Sequence, residues 1–200
     1  MKKAIEVLRL NIASVKDLHS LYDTFSRTST NLDLSEILRA EIVLAVSALD
    51  CFIHDLVRIG SVEVYEGTRD FTNNTFQPDF DTRKFINLLT KNKEEQLGEI
   101  DKKIRETHKT KSFQNPDIIA EIVRKIGIEN LWVPVSSRMG INNPQELKNT
   151  LELIITRRNQ IAHEADIGYE NNSKREIDKD EVLKNIIFIE NICEEIYKLC

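Results

Sequence analysis

The sequence predicts an all-α fold, a single helical-bundle domain of about six helices over residues 1–200. The chain contains only six glycines and four prolines in 200 residues, so few residues interrupt regular structure. Apolar residues recur at spacings of three or four through most of the chain, which is the period of an amphipathic helix and not of a strand. Two Asn-Pro pairs, at 115–116 and 143–144, have the form of a helix cap followed by the first helical residue.

Two long helices are predicted in the first third of the chain. The first covers residues 4–25 and has one apolar face, so we expect it to pack on the outside of the bundle. Its apolar positions are Ile5, Leu8, Ile12, Val15, Leu18 (or His19), Leu21 and Phe25. The second is predicted from Ser35 to about Ile59, ending before Gly60. Because it is apolar on more than one side, we expect it to lie at the centre of the fold.

Residues 61–110 have the least regular pattern and are expected to form a loop followed by a charged helical excursion. Residues 61–80 combine turn-forming residues and aromatics without a steady period, which predicts a loop with a short extended piece. The segment from Asp81 to about His108 is charged and has apolar residues along one narrow side. This pattern predicts one helix, or two. Within it, residues 102–111 (KKIRETHKTK) carry five basic residues against one acidic. This run either holds an RNA backbone or is a solvated helix face.

Five further elements are predicted after residue 114. They are a short helix over 115–127, an irregular connection over 129–142, a helix from Pro144 to about Ala165, a polar loop over 166–176 and a last helix from about Asp178 to Cys200. The irregular connection contains the only tryptophan, Trp132. A single tryptophan between helices is more often a core residue than a platform on which a base stacks.

Composition and charge narrow the function classes. The chain is 40% hydrophobic and 30% charged, as expected for a soluble globular protein, and its formal net charge is −5. That charge repels nucleic acid, so binding would need a local basic patch. The longest apolar run, IVLAVSAL from Ile42, is far shorter than the roughly 20 residues that span a bilayer. The apolar stretch after Met1 is interrupted by Glu6 and Arg9, which argues against a secretory signal and predicts a cytoplasmic protein without a membrane role.

Neither the cysteines nor the histidines form a metal-ligand pattern. The three cysteines (Cys51, Cys193 and Cys200) are an odd set without CxxC spacing, so we expect reduced, mostly buried thiols and no zinc site. Asp50 and His54, four apart on the predicted central helix, are expected to face a partly buried cleft. A metal site formed by these two residues with His163 is the weaker alternative, since such spacing is common by chance. No metal and no cofactor are predicted.

The segment RRNQIAHEAD, residues 157–166, carries the most unusual side chains. Arg158 falls within the apolar stripe of its helix, and an arginine cannot be deprotonated, so its charge must meet an acid, a phosphate or water in a cleft. Asn159 and His163 lie about 40° from each other on the helix and share a face beside the arginine. A guanidinium that grips phosphate oxygens, an orienting amide and a histidine that titrates near neutrality suit a phosphodiester site.

The plain structural alternative for Arg158 is a salt bridge with a carboxylate of the central helix. Asp50 and Glu41 are the candidate partners, and on spacing alone this alternative is as good as the functional one. The two interpretations are compatible, since a carboxylate can orient a guanidinium without neutralising it.

The residues RRNQIAH resemble the Arg-polar-x-x-x-His signature of the HEPN superfamily of helical nucleases and nucleotide-binding domains. Three further blocks resemble, in order and spacing, the bacterial RiboL-PSP-HEPN group. They are LRAEIVLAVSALDCFIHDL from Leu38, KSFQNPDIIAEIVRKIGIENLW from Lys111 and the closing IIFIENICEEI. Together the resemblance covers most of the chain from about residue 35 to its end.

The resemblance implies a helical bundle that usually forms a homodimer with two copies of the motif facing each other across a cleft. Many members of that family are metal-independent endoribonucleases, often toxins or effectors of antiviral defence, so RNA and an antitoxin or defence-system protein are the implied partners. Arg158 and His163 correspond to the catalytic pair, and Asn159 fills the polar position after the arginine. Arg157 is an extra neighbour, and it joins Asn159 and Asp50 as a candidate for binding or orienting the substrate.

Two other functions remain open on the sequence. The same fold could be a non-catalytic module that binds RNA or a nucleotide, since the same arginine and histidine would serve. It could also be a structural partner in a toxin-antitoxin or defence complex, in which case Arg158 and His163 would not matter. The acidic chain has few basic residues near the motif beyond Arg157, Lys148 and Arg138, which favours a specific small RNA, a tRNA loop or a partner that presents the substrate.

Overall fold

The computed structural model of the chain describes residues 1–28, 32–168 and 172–200. In this described part eight helices and no β-strand are present, which confirms the all-α prediction and makes the predicted number of about six wrong. The helices are α1 (Lys2–Thr28), α2 (Ser35–Glu66), α3 (Thr82–Leu89), α4 (Lys93–His108), α5 (Pro116–Arg124), α6 (Trp132–Arg138), α7 (Pro144–Glu164) and α8 (Lys179–Tyr197). Residues 29–31, between α1 and α2, and residues 169–171, within the polar loop predicted at 166–176, lie outside the described residues.

Helix α2 lies at the centre of the fold, as its two apolar sides predict. It packs against α1, α4, α5, α7 and α8, and its buried side chains point in several directions around the helix axis. Its largest fully buried side chains are Leu38, Leu49, Phe52, Ile53 and Leu56. Helix α1 covers one side of α2 through a single buried face, which is the outer position expected for an amphipathic helix.

The predicted end of α2 before Gly60 is wrong. The helix continues to Glu66 and ends at Gly67, whose φ of 90° is the left-handed conformation that glycine adopts easily. Gly60 is instead a point of close approach, because a Cβ there would lie 2.6 Å from Met1 Cε and 2.8 Å from Ile126 Cγ2. Residues 61–66, predicted as part of a loop, are therefore helical.

The charged segment after residue 81 forms two helices, α3 and α4. The Asp81 side chain accepts a hydrogen bond from the backbone N–H of Lys84 at the start of α3. Asn92 and Glu95 form a reciprocal capping box at the start of α4. Helix α4 is joined to α2 by an ion pair of 2.5 Å between Arg58 Nη1 and Asp101 Oδ1.

His108 closes α4 in an apolar environment. Its ring centroid lies 5.1 Å from that of Phe113 and 5.4 Å from that of Phe76, and the residue is 3% exposed. Burial, together with the nearby charges of Lys111 and His54, lowers the pKa of His108 from 6.5 to about 4. The imidazole is therefore neutral at neutral pH.

The segment 129–142, predicted as an irregular connection, contains the short helix α6. Trp132 begins this helix, is 7% exposed, and donates a hydrogen bond from Nε1 to the carbonyl oxygen of Pro116 at 3.0 Å. The tryptophan is thus a core residue that joins α6 to α5. The predicted start of α5 is confirmed, since Asn115 Oδ1 accepts from the backbone N–H groups of Asp117 and Ile118.

The three cysteines are free thiols, but only Cys193 is buried, so the prediction of mostly buried thiols is wrong for Cys51 and Cys200. None of the described helices is long and apolar enough to cross a membrane.

Gly60→Ala is expected to lower the free energy of unfolding by about 1–3 kcal/mol, because the added methyl group has no room between Met1 and Ile126. Gly98→Ala is the matched control, since Gly98 also lies inside a helix but has open space around its Cβ position. That change is expected to raise the free energy of unfolding by up to about 1 kcal/mol. Urea unfolding of both variants measures the difference, and equal effects would contradict the assigned close approach.

The free energy of unfolding is expected to fall as the pH drops from 6.5 towards 4. The unfolded chain protonates His108 near pH 6.5 and the folded chain only near pH 4, so between these values protons favour the unfolded chain. His108→Phe keeps an aromatic ring that cannot be protonated and should lose this part of the pH dependence. Urea unfolding across this pH range tests the prediction, and equal slopes for both proteins would refute it.

Candidate nucleic-acid site on helix α7

Helix α7 carries the arginines, the amide and the histidine singled out in the sequence. It starts at Pro144 behind the Asn143 cap, whose side-chain oxygen accepts from the backbone N–H of Gln145 at 2.9 Å. Its buried side chains, Leu147, Leu151 and Ile154, lie on one face. Through this face α7 packs against α2, α5 and α6. The opposite face, in the described part of the chain, is exposed.

The exit from α7 has an unusual backbone. Ala165 and Asp166 both adopt left-handed conformations, with φ angles of 50° and 60°. Residues other than glycine avoid this region because Cβ crowds the following carbonyl oxygen. The backbone N–H of Asp166 donates to the carbonyl oxygen of Gln160 at 3.0 Å, which closes the helix end. Two successive left-handed residues require contacts elsewhere that hold them in place.

Those contacts come from arginines around the fully buried carboxylate of Asp166. Arg39 Nε donates to Asp166 Oδ2 at 2.7 Å, and Arg157 donates to both oxygens, at 2.5 and 2.9 Å. Arg175 Nη1 lies 3.7 Å from Oδ1. We call Arg39, Arg157, Asp166 and Arg175 the arginine clamp. The two-pronged contact with Arg157 is the geometry that holds a guanidinium and a carboxylate in one plane.

The arginine clamp connects three parts of the chain. Arg39 lies near the start of α2, and its Nη2 donates to the carbonyl oxygen of Arg175 at 2.6 Å. Arg157 Nη2 donates to the carbonyl oxygen of Glu176 at 2.9 Å. The clamp therefore fixes the last turn of α7 and the segment before α8 against the start of α2.

Arg158, the next residue after Arg157, has no such partner. Its Nη1 donates to Asn159 Oδ1 at 2.9 Å, and its Nε is buried without a hydrogen-bond partner among the described residues. No carboxylate in the described ranges lies within ion-pair distance of it. The side chain is half-buried, so its charge is partly removed from water and not neutralised.

The two carboxylates proposed as partners of Arg158 have other contacts. Glu41 Oε2 lies 2.8 Å from His19 Nδ1 in a buried pair between α1 and α2. Asp50 Oδ1 accepts from the backbone N–H of Phe113 at 2.6 Å. The salt-bridge interpretation of Arg158 is therefore wrong for both residues.

The structure brings Arg158 and Asn159 together and places His163 on the same exposed side as Asn159. Arg158 lies on the side of α7 that faces the core, about 140° around the helix axis from His163. Its guanidinium nevertheless donates a hydrogen bond to Asn159, which lies between these two positions on the helix surface. Asn159 and His163, one turn apart, are both exposed. The result is a cation, an amide and an imidazole along one edge of the helix.

Two other predicted site residues lie elsewhere. Arg157 belongs to the arginine clamp, so its guanidinium is not free for a substrate. Asp50 is engaged with the backbone before α5 and lies 3.7 Å from His54 Nε2, with no contact to Arg158. Within the described residues, no group of three or more His, Cys, Asp or Glu side chains is placed to hold a metal ion.

No pattern in the sequence predicted the arginine clamp. A cation in the most apolar helix, Arg39 in α2, is itself a signal that a buried acid lies nearby. Asp166 is the last residue of the segment RRNQIAHEAD, and its partner Arg39 lies 127 residues earlier in the chain. Spacing along the chain gives no indication of such a pair.

The exposed face of α7 also contains a large apolar side chain. Leu153 is 71% exposed, although Leu151 and Ile154, close to it in the sequence, are buried. It lies one to three turns before Thr156, Asn159 and His163, which are exposed as well. An isolated exposed leucine is ordinary, but its place on the face that carries the candidate site makes it relevant to assembly.

The part of the chain that the structure describes is all-helical, and α7 presents an arginine without a carboxylate partner beside an amide and a histidine, which are side chains of the kind that pair with anions. The model of the RiboL-PSP-HEPN family matches residues 10–200, and the chain belongs to this family, a HEPN-type domain. Membership suggests a role as a ribonuclease or in RNA binding. Comparison with curated proteins and with solved structures returned no match.

Asp166→Asn is expected to lower the free energy of unfolding by about 3–5 kcal/mol, because it removes the buried carboxylate that pairs with the guanidiniums of Arg39 and Arg157. Asparagine tolerates the left-handed backbone, so the change tests the charge and not the φ angle.

The neighbouring carboxylate Glu164 provides the control for this experiment. It pairs with Arg175 at 3.3 Å near the surface, so Glu164→Gln should cost less than about 1 kcal/mol. Chemical unfolding of both variants makes the comparison. Equal losses of unfolding free energy in the two variants would show that the buried clamp contributes no more to stability than a surface ion pair.

Proposed function

We propose that the protein is a metal-independent endoribonuclease that acts as a homodimer, with Arg158 and His163 as its catalytic residues. One observation carries the proposal. Two adjacent arginines on α7 differ in their partners, since Arg157 is paired with Asp166 and Arg158 has no carboxylate within reach in the described part of the chain. The second guanidinium is available for an anion, and the family suggests RNA as the source of that anion.

Arg158 would bind the phosphate at which the chain is cut. Its buried Nε and its bond to Asn159 hold the guanidinium in a limited range of orientations, which favours two parallel hydrogen bonds to phosphate oxygens. A partly buried cation also stabilises negative charge more strongly than one in bulk water. The charge that builds up on the phosphate during attack would therefore be stabilised.

His163 would move the protons. In RNA the ribose 2′-hydroxyl attacks the adjacent phosphorus and the 5′-oxygen of the next nucleotide leaves. A base takes the proton of the 2′-hydroxyl, and an acid gives a proton to the departing 5′-oxygen. The products are a 2′,3′-cyclic phosphate and a 5′-hydroxyl, and every proton is accounted for without a metal. Histidine suits both roles because an imidazole can accept a proton on one ring nitrogen and donate one from the other.

A second copy of the chain would supply the second histidine. Each α7 carries one histidine, and a symmetric dimer would place two of them in one cleft, one as base and one as acid. Leu153 supports this arrangement, since it is a large apolar side chain exposed on α7 and lies about 80° around the helix from His163. Arg157 and Asp166 would act by fixing the helix end that presents His163. Asp50 would act only indirectly, through the backbone before α5.

The cellular role proposed with this activity is that of a toxin or an antiphage effector, held in check by an antitoxin or by another protein of its defence system. It rests on the family alone. The net charge of −5 supports a defined substrate and not indiscriminate cleavage of long RNA.

A non-catalytic RNA-binding or nucleotide-binding module is the second candidate. The observation that favours it is the state of His163, which is exposed and has no hydrogen bond to a described residue that would fix its tautomer or orientation. Arg158 would then bind a phosphate and nothing would be cut. A purely structural partner protein is the third candidate, and it predicts that neither residue affects RNA.

Arg158→Ala and His163→Ala are each expected to reduce RNA cleavage by about 10²-fold or more, because one removes charge at the phosphate and the other removes proton transfer. Cleavage is measured by induction in a bacterial host with total RNA on a gel, and by incubating purified protein with RNA in the presence of a chelator. Arg83→Ala is the control, since Arg83 is an exposed arginine on α3. The cut ends should carry 2′,3′-cyclic phosphates.

Products with 3′-hydroxyl ends would contradict the proposed mechanism. Intact RNA with the wild-type protein, together with RNA binding that Arg158→Ala abolishes, would establish the non-catalytic module instead.

Leu153→Arg is expected to convert a dimer into a monomer and to reduce cleavage, because it places a charge in the proposed interface. Leu10→Arg is the matched control, since Leu10 on α1 is 69% exposed against 71% for Leu153. Light scattering after gel filtration measures the mass of each variant. A monomeric wild-type protein that still cuts RNA would contradict the shared cleft.

A further inference from the structure

One outer face of helices α1 and α2 carries apolar and neutral side chains only. The residues on it recur at alternating spacings of three and four in both helices, which is the heptad pattern by which one helix packs along another. We call them the uncharged seam. None of them is buried by the described part of the chain. They are Val7, Asn11, Ser14, Leu18, Leu21 and Phe25 in α1, and Ile37, Ala40, Leu44, Ser47 and Cys51 in α2.

The uncharged seam is separate from the side of α1 that forms the core. The core side includes Ile5, Leu8, Ile12 and Val15, which are buried, and it lies about 110° around the helix from the seam. Burial of the core side already accounts for the packing of α1 against α2. A second heptad row on a neighbouring face is therefore suited to packing against further helices.

The charged residues of the same helix segments are directed to other contacts. In α1, Arg9, Lys16 and Asp23 form ion pairs with α8. Asp17 lies about 80° around the helix from the uncharged seam. A partner on the seam would therefore meet no charge, and its own contact surface must be uncharged too, because a charge there would lose water without gaining a counter-charge. The charged residues of α2 between 37 and 51, which have the contacts described above, are Arg39, Glu41 and Asp50.

The two helices run antiparallel beneath the uncharged seam, and the seam has a large end and a small end. Leu18 of α1 and Leu44 of α2 line the same cavity, so they mark one level along the helix pair. On one side of this level is the large end, which carries Leu21, Phe25 and Ile37, with Ala40 as its one small residue. On the other side is the small end, which carries Asn11, Ser14, Ser47 and Cys51.

The small end contains a cavity of about 230 Å³. At the large end, Leu21 and Phe25 are 48% and 46% exposed. A second copy turned end over end would place its large end on this cavity, and its own cavity would receive the large end of the first copy. The face is thus complementary to itself, as a two-fold contact requires. The residues that line the cavity are all uncharged, namely Asn11, Ser14, Val15, Leu18, Leu44, Ser47 and Ala48.

The size of the uncharged seam suits a weak contact between copies. The seam extends over about 27 Å of α1 and about 21 Å of α2, and two adjacent helices are about 20 Å wide. Its area is therefore roughly 500 Å² per copy and about 1,000 Å² for two copies, which is the lower limit for a specific interface. A contact of this size is expected to form at high protein concentration and to dissociate on dilution.

We propose that the uncharged seam binds the same seam of a second copy of the chain, turned end over end. Helix α1 then faces α1 and α2 faces α2, each pair antiparallel, and the four helices pack as a four-helix bundle. In this arrangement Leu21 of each copy enters the cavity beside Ser14 of the other. The apolar side chains of the large end are removed from water, and no charge is buried.

This contact is different from the cleft proposed at α7. No residue of α7 belongs to the uncharged seam, and the contact does not rest on the proposed ribonuclease function. Where the α7 cleft joins two chains, the seam joins two such dimers, because a subunit with two separate two-fold contacts builds a tetramer.

The test is sedimentation equilibrium of the full-length protein over a range of concentrations. We expect the average mass to double between about 10 µM and about 1 mM, as a weak interface requires. The doubling is expected whichever species is present at the lowest concentration. A monomer at that concentration would contradict the cleft at α7 and leave the doubling in place, so the two proposals fail separately.

A pair of variants tests the end-over-end arrangement. Leu21→Arg and Ser14→Asp each place an unpaired charge in the contact, and each is expected to weaken association by about tenfold or more. The double variant should restore association, because the introduced arginine of one copy then faces the introduced aspartate of the other. The two positions are two turns apart in one chain, beyond the i, i+4 spacing at which helix ion pairs form. Both are exposed, so the variants are expected to fold.

Leu10→Arg is the matched control for Leu21→Arg. Leu10 is 69% exposed on the same helix but lies about 60° around it from the uncharged seam, so this variant should associate as the wild type does. An unchanged mass of the wild type at every concentration would overturn the proposal and leave the seam for a helix of another protein. Association of Leu21→Arg as strong as that of the wild type would also overturn it, and so would a double variant that stays as weak as the single ones.

Discussion

The buried carboxylate of Asp166 is the group on which the geometry of the candidate site depends. It holds Arg39 of α2 and Arg157 of α7, and Arg175 lies close by, so three distant parts of the chain converge on one side chain. Removing a partner from such a buried group leaves charges without compensation, which is far more destabilising than losing a surface ion pair. The left-handed exit from α7 persists because these contacts hold it.

The same carboxylate explains why two arginines stand side by side on α7. One of them, Arg157, is needed to neutralise Asp166 and to hold the segment before α8. The next, Arg158, points away from Asp166 and bonds to Asn159, so its charge has no carboxylate partner among the described residues. A single arginine could not do both, because a guanidinium bound to a carboxylate on two prongs has little capacity left for a phosphate. The pair therefore divides structural support and proposed substrate binding between adjacent positions.

Local signals in the sequence predicted the helices well where a cap or a clear period was present. Asn115 and Asn143 mark the starts of α5 and α7 because capping depends on neighbouring residues only. The end of α2 was wrongly predicted at Gly60, because this glycine serves a close contact with Met1 and Ile126. No local pattern in the sequence reveals such a contact. The clamp was missed for the same reason, whereas the half-buried position of Arg158 followed directly from helical periodicity.

The measurement that tests the central claim most directly is an NMR titration of the arginine side chains with 2′-O-methyl RNA. The claim is that Arg158 is available for a phosphate and Arg157 is not. We predict that the Nε–H signal of Arg158 shifts on binding while that of Arg157 stays in place, and that Arg158→Lys removes the shifting signal. A titration in which Arg157 responds and Arg158 does not would contradict the account.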